Sequence, residues 1–321
     1  MVRCCWLVVL AACKFSAGTG SGPGDGSIDV MPLVDAAPPD APDPNCFGSG
    51  AFYVCVQAVP SASVRLMGAY STTTCAAPGA PAMIGNTPVC AIVGGVLELQ
   101  AGDVFGIGGD KPLVLIAVDD ILINGTFDVS SGVGDTGPGA NATECNSTGI
   151  AGVGNVNGGG GGAGGSFGSR GGNGGSGAGG SGGLATAAVM APVTILRGGC
   201  PGGAGGAGTI VTPASVGPGG GAVYLVARDK IEVRGIINAS GAGGSATVQG
   251  KNGGYGAGSG GMIVFHAGML DVRAGAKILA NGGGGGAGSG NATAGAAGSD
   301  PDPTDPVTTP APGGPTSTGG A

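Results

Sequence analysis

From Val64 onward the chain repeats one short phrase of alternating apolar and polar positions. It reads VRLMGAYSTTT from Val64, LELQAGDVFGIG from Leu97, ILINGTFDVSSG from Ile121, IEVRGIINASG from Ile231 and LDVRAGAKILANG from Leu270. A period of two sets one group of side chains on one face of a strand. Ile121, Ile123, Phe127 and Val129 form such a group, and Ile231, Val233, Ile237 and Ala239 repeat it. The later copies follow a continuous apolar run: LVLIAV from Leu113, AVYLVA from Ala222 and MIVFHA from Met262. Short strands in tandem, each too small to bury its apolar face alone, predict an all-β fold of the parallel β-helix or solenoid type. The pattern places it over roughly residues 60–130 and 220–282, with Ile123, Phe127, Leu225, Val233, Phe265 and Val272 pointing inward. Successive copies start 33, 24, 110 and 39 residues apart. About 24 residues suits one coil, which favours the solenoid over an antiparallel β-sandwich. The interval of 110 then holds an insertion at about residues 132–220.

A second period lies inside that insertion. Nine glycines occupy every third position from Gly159 to Gly183 without a break. Three residues per turn is the pitch of a polyproline-II-type helix, and one side of such a helix would be bare backbone. Gly199, Gly202, Gly205 and Gly208 keep the same spacing, as do Gly282, Gly285 and Gly288. Two states are open to the block. Ordering some 25 residues costs on the order of 25–50 kcal/mol, and each hydrogen bond returns about 1 kcal/mol net, so disorder is one. A bundle of extended helices bonded to each other is the other.

Composition narrows the classes of function. Glycine supplies 78 of 321 residues, aromatics are 4% and charged residues 10%. The net charge of −7 is uneven, with Asp25, Asp29, Asp35, Asp40 and Asp43 near one end and Asp300, Asp302 and Asp305 near the other. No basic stripe exists, so nucleic-acid binding lacks its electrostatic basis. The single histidine, His266, sits in the apolar run MIVFHA, where a structural role is expected. Asp119 and Asp120 are adjacent and so point to opposite faces of a strand, and Asp229 occupies the equivalent turn of the next copy. No phosphate-loop motif, calcium nonapeptide or CxxC pair is present. No catalytic, cofactor-binding or metal-binding set is therefore expected, and no cofactor.

The first twelve residues read as a signal segment, with Arg3 ahead of an apolar run too short to span a bilayer. The run ends in Leu10-Ala11-Ala12-Cys13, which resembles the lipobox of bacterial lipoproteins and makes Cys13 the candidate lipidated residue. Residues 13–45 then form a Pro-, Asp- and Gly-rich tether expected to be disordered. Residues 46–298 form the glycine-rich domain, and residues 299–321 a second disordered segment. Setting aside Cys4, Cys5 and Cys13 leaves Cys46, Cys55, Cys75, Cys90, Cys145 and Cys200, which allow 15 disulfide connectivities. Pairing sequence neighbours, Cys46–Cys55, Cys75–Cys90 and Cys145–Cys200, is the economical choice.

Several stretches together resemble a family of glycine-rich lipoproteins of unknown function from myxobacteria and their relatives. They are CFGSG at Cys46, PLVLIAVDDILINGTFDVSS from Pro112, LRGGCPGGAGGAG from Leu196, GGGAVYLVARDKIEVRGIINASGAGG from Gly219 and GSGGMIVFHAGMLDVRAGAKILANGGGGG from Gly258. The resemblance implies location and architecture but no activity. The expectation is a non-enzymatic, lipid-anchored envelope protein, most simply of the outer membrane, with a structural or adhesive surface role. Its expected partners are the membrane, extracellular polysaccharide or other surface proteins. A polysaccharide-active β-helix enzyme working through carboxylates such as Asp119 and Asp229 is the competing expectation.

Overall fold

The structure, a computed structural model, describes residues 43–145, 148–188, 194–208, 215–246, 250–304 and 311–315. Cys13, the signal segment and the tether up to residue 42 lie outside the described residues. The fold is all-β. Among the described residues the one helical element is a single 3-10 turn at Gly50–Phe52.

The chain opens with the strands β1 (Cys46–Phe47) and β2 (Val54–Cys55), joined by the Cys46–Cys55 disulfide. Strands β3 (Val64–Arg65) and β4 (Gly68–Ser71) follow, then the antiparallel pair β5 (Gly79–Ile84) and the start of β6 (Thr87–Gly94). From β6 the strands come in threes. The first three are β6, β7 (Leu97–Leu99) and β8 (Val104–Gly108). The next are β9 (Leu113–Ala117), β10 (Asp120–Ile123) and β11 (Thr126–Asp128). After the insertion, with its small hairpin β12 (Gly154–Asn155) and β13 (Gly158–Gly159), come β14 (Ala222–Ala227), β15 (Lys230–Val233) and β16 (Ile236–Asn238). The last three are β17 (Met262–His266), β18 (Met269–Val272) and β19 (Lys277–Leu279).

Each member of a triplet joins a different sheet. The first sheet has the order β1-β2-β5-β6-β9-β14-β17, the second β18-β15-β10-β7-β3 and the third β19-β16-β11-β8-β4. From β6 onward all the pairings in these sheets are parallel. The register matches the phrases read from the sequence. Val64 pairs with Leu97, Leu97 with Ile121, Ile121 with Ile231 and Ile231 with Leu270, so all five phrase starts share one column. Ile123, Phe127, Leu225 and Val233 are fully buried in the main core cluster, and Phe265 is half-buried against it. Val272 departs from the expected burial. It is exposed, because β18 is the last strand of its sheet and no further strand among the described residues lies over it.

The first sheet explains why its strands read as unbroken apolar runs. Leu113, Leu115, Val223 and Leu225 face the main core, while Val114, Ile116, Tyr224 and Val226 face a second cluster. Strands buried on both faces lose the alternation. The second cluster is closed by Phe47 and Val54 of the initial strands and by Leu196 from the insertion. Gly48, at φ +81, allows this approach, since a Cβ there would strike the Tyr224 hydroxyl.

The described part of the glycine block is placed and backbone-bonded. Residues 160–165 donate in rotation to three neighbours. Gly160 and Ala163 donate to the carbonyls of Val153 and Ile150, Gly161 and Gly164 to those of Gly175 and Gly172, and Gly162 and Gly165 to those of Gly254 and Ala257. Each neighbour returns at every third residue. The glycine register has a direct steric cause. A Cβ at Gly159, Gly162 or Gly165 would land on the carbonyl of Gly206, Gly203 or Cys200, and one at Gly174, Gly180 or Gly183 on that of Gly161, Val153 or Ile150. Gly168 is the exception, with nothing within 4 Å. The run at Gly199, Gly202, Gly205 and Gly208 is crowded in the same way by residues 251–260. The third run is mixed: Gly288 meets the Ser176 carbonyl, Gly285 has open space and Gly282 ordinary contact, whereas Gly283 and Gly284, outside the register, also meet backbone. Cys145–Cys200 ties the two ends of the block, and Cys75–Cys90 ties β6 to the turn after β4. Of the tail, residues 299–304 and 311–315 are described, and Ser299 and Gly314 donate to Pro312 and Gly285.

Candidate functional site

A cleft of about 790 Å³ lies along the outward side of the third sheet. In that sheet Phe105, Phe127, Ile237 and Ile278 share one column and pack inward. The next column therefore faces out: Ala69, Gly106, Asp128 and Asn238, from four successive strands. Small residues there leave a trough, and a loop at 131–136 and the tail at Asp300–Pro303 form its walls.

Hydrogen bonds fix the polar groups of the trough. Asp128 Oδ1 accepts from Ser130 N at 3.0 Å, Ser130 Oγ at 2.6 Å and Asn238 Nδ2 at 3.3 Å. Ser131 is buried, donates to the Gly219 carbonyl and accepts from Gly137 N at 2.8 Å. Asp300 Oδ1 accepts from Gly243 N at 2.7 Å, which anchors the tail wall to the glycine block. Lys277 Nζ reaches the Pro303 and Thr304 carbonyls and holds the same wall from the other side. Tyr70 contributes an aromatic ring to one end, with its hydroxyl buried beside Gly79 and desolvation raising its pKa.

The electrostatics are one-sided. Asp128, Asp135 and Asp300 line the cleft, and among the described residues no lysine, arginine or histidine does. Such a trough accepts hydrogen bonds from hydroxyl groups and repels anions. Four basic side chains, Arg65, Lys230, Arg234 and Arg273, are ion-paired on or beside the second sheet. There Glu232 is almost fully buried between Lys230 at 2.9 Å, Arg234 at 2.5 Å and Arg273 at 3.1 Å. Hydrogen bonds from these three hold its carboxyl down to about 2. Arg65 pairs with Asp103 at 2.8 Å. A buried cation, Arg197, stacks on Phe167 at 4.9 Å beside Cys200, and desolvation lowers its pKa.

The acids singled out from the sequence sit apart from this cleft. Asp229 N donates to the Asp119 carbonyl at 3.1 Å, and Met269 N to the Asp229 carbonyl at 2.9 Å. The two aspartates thus stack in the turns between first-sheet and second-sheet strands, and Asp120 lies 4.0 Å from Lys230. His266 ends β17 with its ring exposed instead of packed. Among the described residues no cluster of three or more His, Cys, Asp or Glu could hold a metal ion. The six remaining cysteines are paired as sequence neighbours. Sequence reasoning missed the trough because its walls come from segments read as insertion and tail. The signal available was the small or polar residue at one position of the first four phrases, Ala69, Gly106, Asp128 and Asn238.

Comparison with protein-family models, with curated proteins and with solved structures returns no match.

Proposed function

We propose that the chain is a non-enzymatic, lipid-anchored cell-envelope protein with a structural or adhesive surface role. In this reading the strand triplets are successive coils of a parallel β-solenoid. The glycine segments are polyproline-II-type helices that leave the solenoid and pack into a bundle beside it. Three supports stand behind the coil assignment: the fixed order in which each triplet visits the three sheets, the parallel pairing and the shared column of phrase starts. The observation that carries the role is the threefold exchange of backbone hydrogen bonds in residues 160–165. Residues 160–165 lie mostly inside, and their bonds hold the more exposed stretch 168–182 as a surface of backbone and small side chains, which serves display and contact better than chemistry. Lipidation at Cys13 would hold that surface at a membrane.

The partner that suits the trough is a neutral, hydroxyl-rich polymer such as an extracellular polysaccharide. A second reading rests on the trough's three carboxylates. They make a polysaccharide hydrolase or lyase, with Asp128 and Asp300 in place of Asp119 and Asp229, the rival reading. A screen of the purified chain against cell-wall and matrix polysaccharides separates the two. Binding without turnover is the expected result. Depolymerisation that disappears in both Asp128→Asn and Asp300→Asn would overturn it. For the anchor, Cys13→Ala should release the protein from the membrane fraction, and unchanged fractionation would overturn that part alone.

A further inference from the structure

The two ends of the strand stack are finished differently. At the β3/β4 end the inward positions are covered: Leu66 and Cys75 are buried, and the Cys75–Cys90 disulfide lies over the first triplet. At the other end the core is cut open. Leu270 continues the column of Ile121 and Ile231, and Val272 that of Ile123 and Val233. Those four predecessors are 0% exposed, whereas Leu270 and Val272 are each 48% exposed. Phe265, Ile263 and Ile278 at the same level are only half-buried. β17, β18 and β19 are each the last strand of their sheet, so three strand edges end there together. Uncovered apolar edges are a template for pairing with another chain.

We propose that this end is an isologous interface with a second copy of the chain. β3 and β4 also end their sheets, with Val64 and Tyr70 half-buried, but Leu66 and the Cys75–Cys90 disulfide close that end more fully, so the two ends do not match and a two-fold contact of the open end is the closed solution. The edge strand is self-complementary in charge. Within one copy Arg273 pairs with Asp271 at 2.9 Å and with Glu232 at 3.1 Å; if β18 pairs antiparallel with itself about Val272, Asp271 of each copy also faces Arg273 of the other and the pairs join into one network. The inward side chain Val272 then meets its own copy, Leu270 faces Ala274 of the second copy, and the two cores become continuous. Opposite charges facing across paired strands favour that register, and like charges would oppose it.

The test uses the full-length chain with Val272→Cys, alongside Val104→Cys, which changes an exposed residue on a different strand. Mild oxidation should give a disulfide-linked dimer for Val272→Cys and none for Val104→Cys. Sedimentation of the unsubstituted chain should show a dimer, and Leu270→Lys should weaken it at least tenfold. Leu270 is already half-exposed, so that variant keeps its circular dichroism spectrum. A monomer at tens of micromolar, no Val272→Cys cross-link, or a cross-link to a different protein would each overturn the proposal.

Discussion

Gly162→Ala isolates the packing that orders the glycine block. A Cβ at residue 162 would lie on the Gly203 carbonyl, with the Gly203 carbon 2.6 Å and the Ala204 oxygen 2.7 Å away. Ordinary contact needs roughly 3.4 Å or more, so the two segments must part by about 1 Å. Three hydrogen bonds share that contact: Gly162 N to Gly254 O at 3.0 Å, Gly203 N to Ala163 O at 2.7 Å and Gly206 N to Gly160 O at 2.8 Å. At about 1 kcal/mol each they sum to about 3 kcal/mol. Stiffening the unfolded chain returns about 0.4–1 kcal/mol. The expected net loss is therefore about 2–3 kcal/mol. Gly168→Ala is the matched control, since it keeps the same threefold register but has nothing within 4 Å. It should be neutral or stabilising by up to about 1 kcal/mol. Denaturant unfolding gives the global difference, and amide exchange at Gly203 and Gly206 gives the local one. Equal stability of the two variants, within about 0.5 kcal/mol, would refute the steric account of the register.

Val233→Asp puts a charge at a position with no exposure, among Ile123, Ile231 and their neighbours, and should cost more than about 4 kcal/mol; retention of the native circular dichroism melt would contradict the core assignment. Glu232 has a folded-state pKa depressed to about 2 from an ordinary 4.5. Its stabilising contribution is thus present above pH 4.5 and is lost as pH falls through 2. Glu232→Gln should flatten the stability profile across that window, and an unchanged slope would count against the ion-pair cluster. Replacing both Cys145 and Cys200 by Ser releases a link of sequence separation 55 and should cost roughly 4 kcal/mol in the chain-entropy model. A loss below about 1 kcal/mol would mean that backbone bonds alone hold the block.

The parts of the fold that were legible in the sequence are those where side chains alternate against a shared core. Ile121, Ile123 and Phe127 announce both the strand and its face, and the phrase starts give the register. Disulfide partners followed from proximity in the chain. Glycine spacing was legible as a period, but whether it ordered was not, because the deciding interactions are backbone hydrogen bonds to residues some 90 positions away. Such bonds leave no side-chain signature at either end. Val272 was misplaced for a related reason: periodicity names the inward face and says nothing about whether another strand follows. The trough was hidden because Asp300 and Pro301 lie in a stretch whose composition resembles a linker, yet Asp300 is held by Gly243 N.

The wiring of the glycine block bears on when it can form. Gly162 and Gly165 wait for Gly254 and Ala257, and Gly159 exchanges hydrogen bonds with Ser289. A ribosome adding about 5–20 residues per second delivers those partners on the order of 5–25 s after residue 160 emerges. During that interval the early glycine segments have only the local bonds to Ile150, Val153, Gly172 and Gly175, and the long-range contacts close slowly even when all residues are present. The segments made last therefore complete the structure of those made first. A chain truncated before residue 250 should keep β6 to β11 and leave Gly162 and Gly165 without their acceptors.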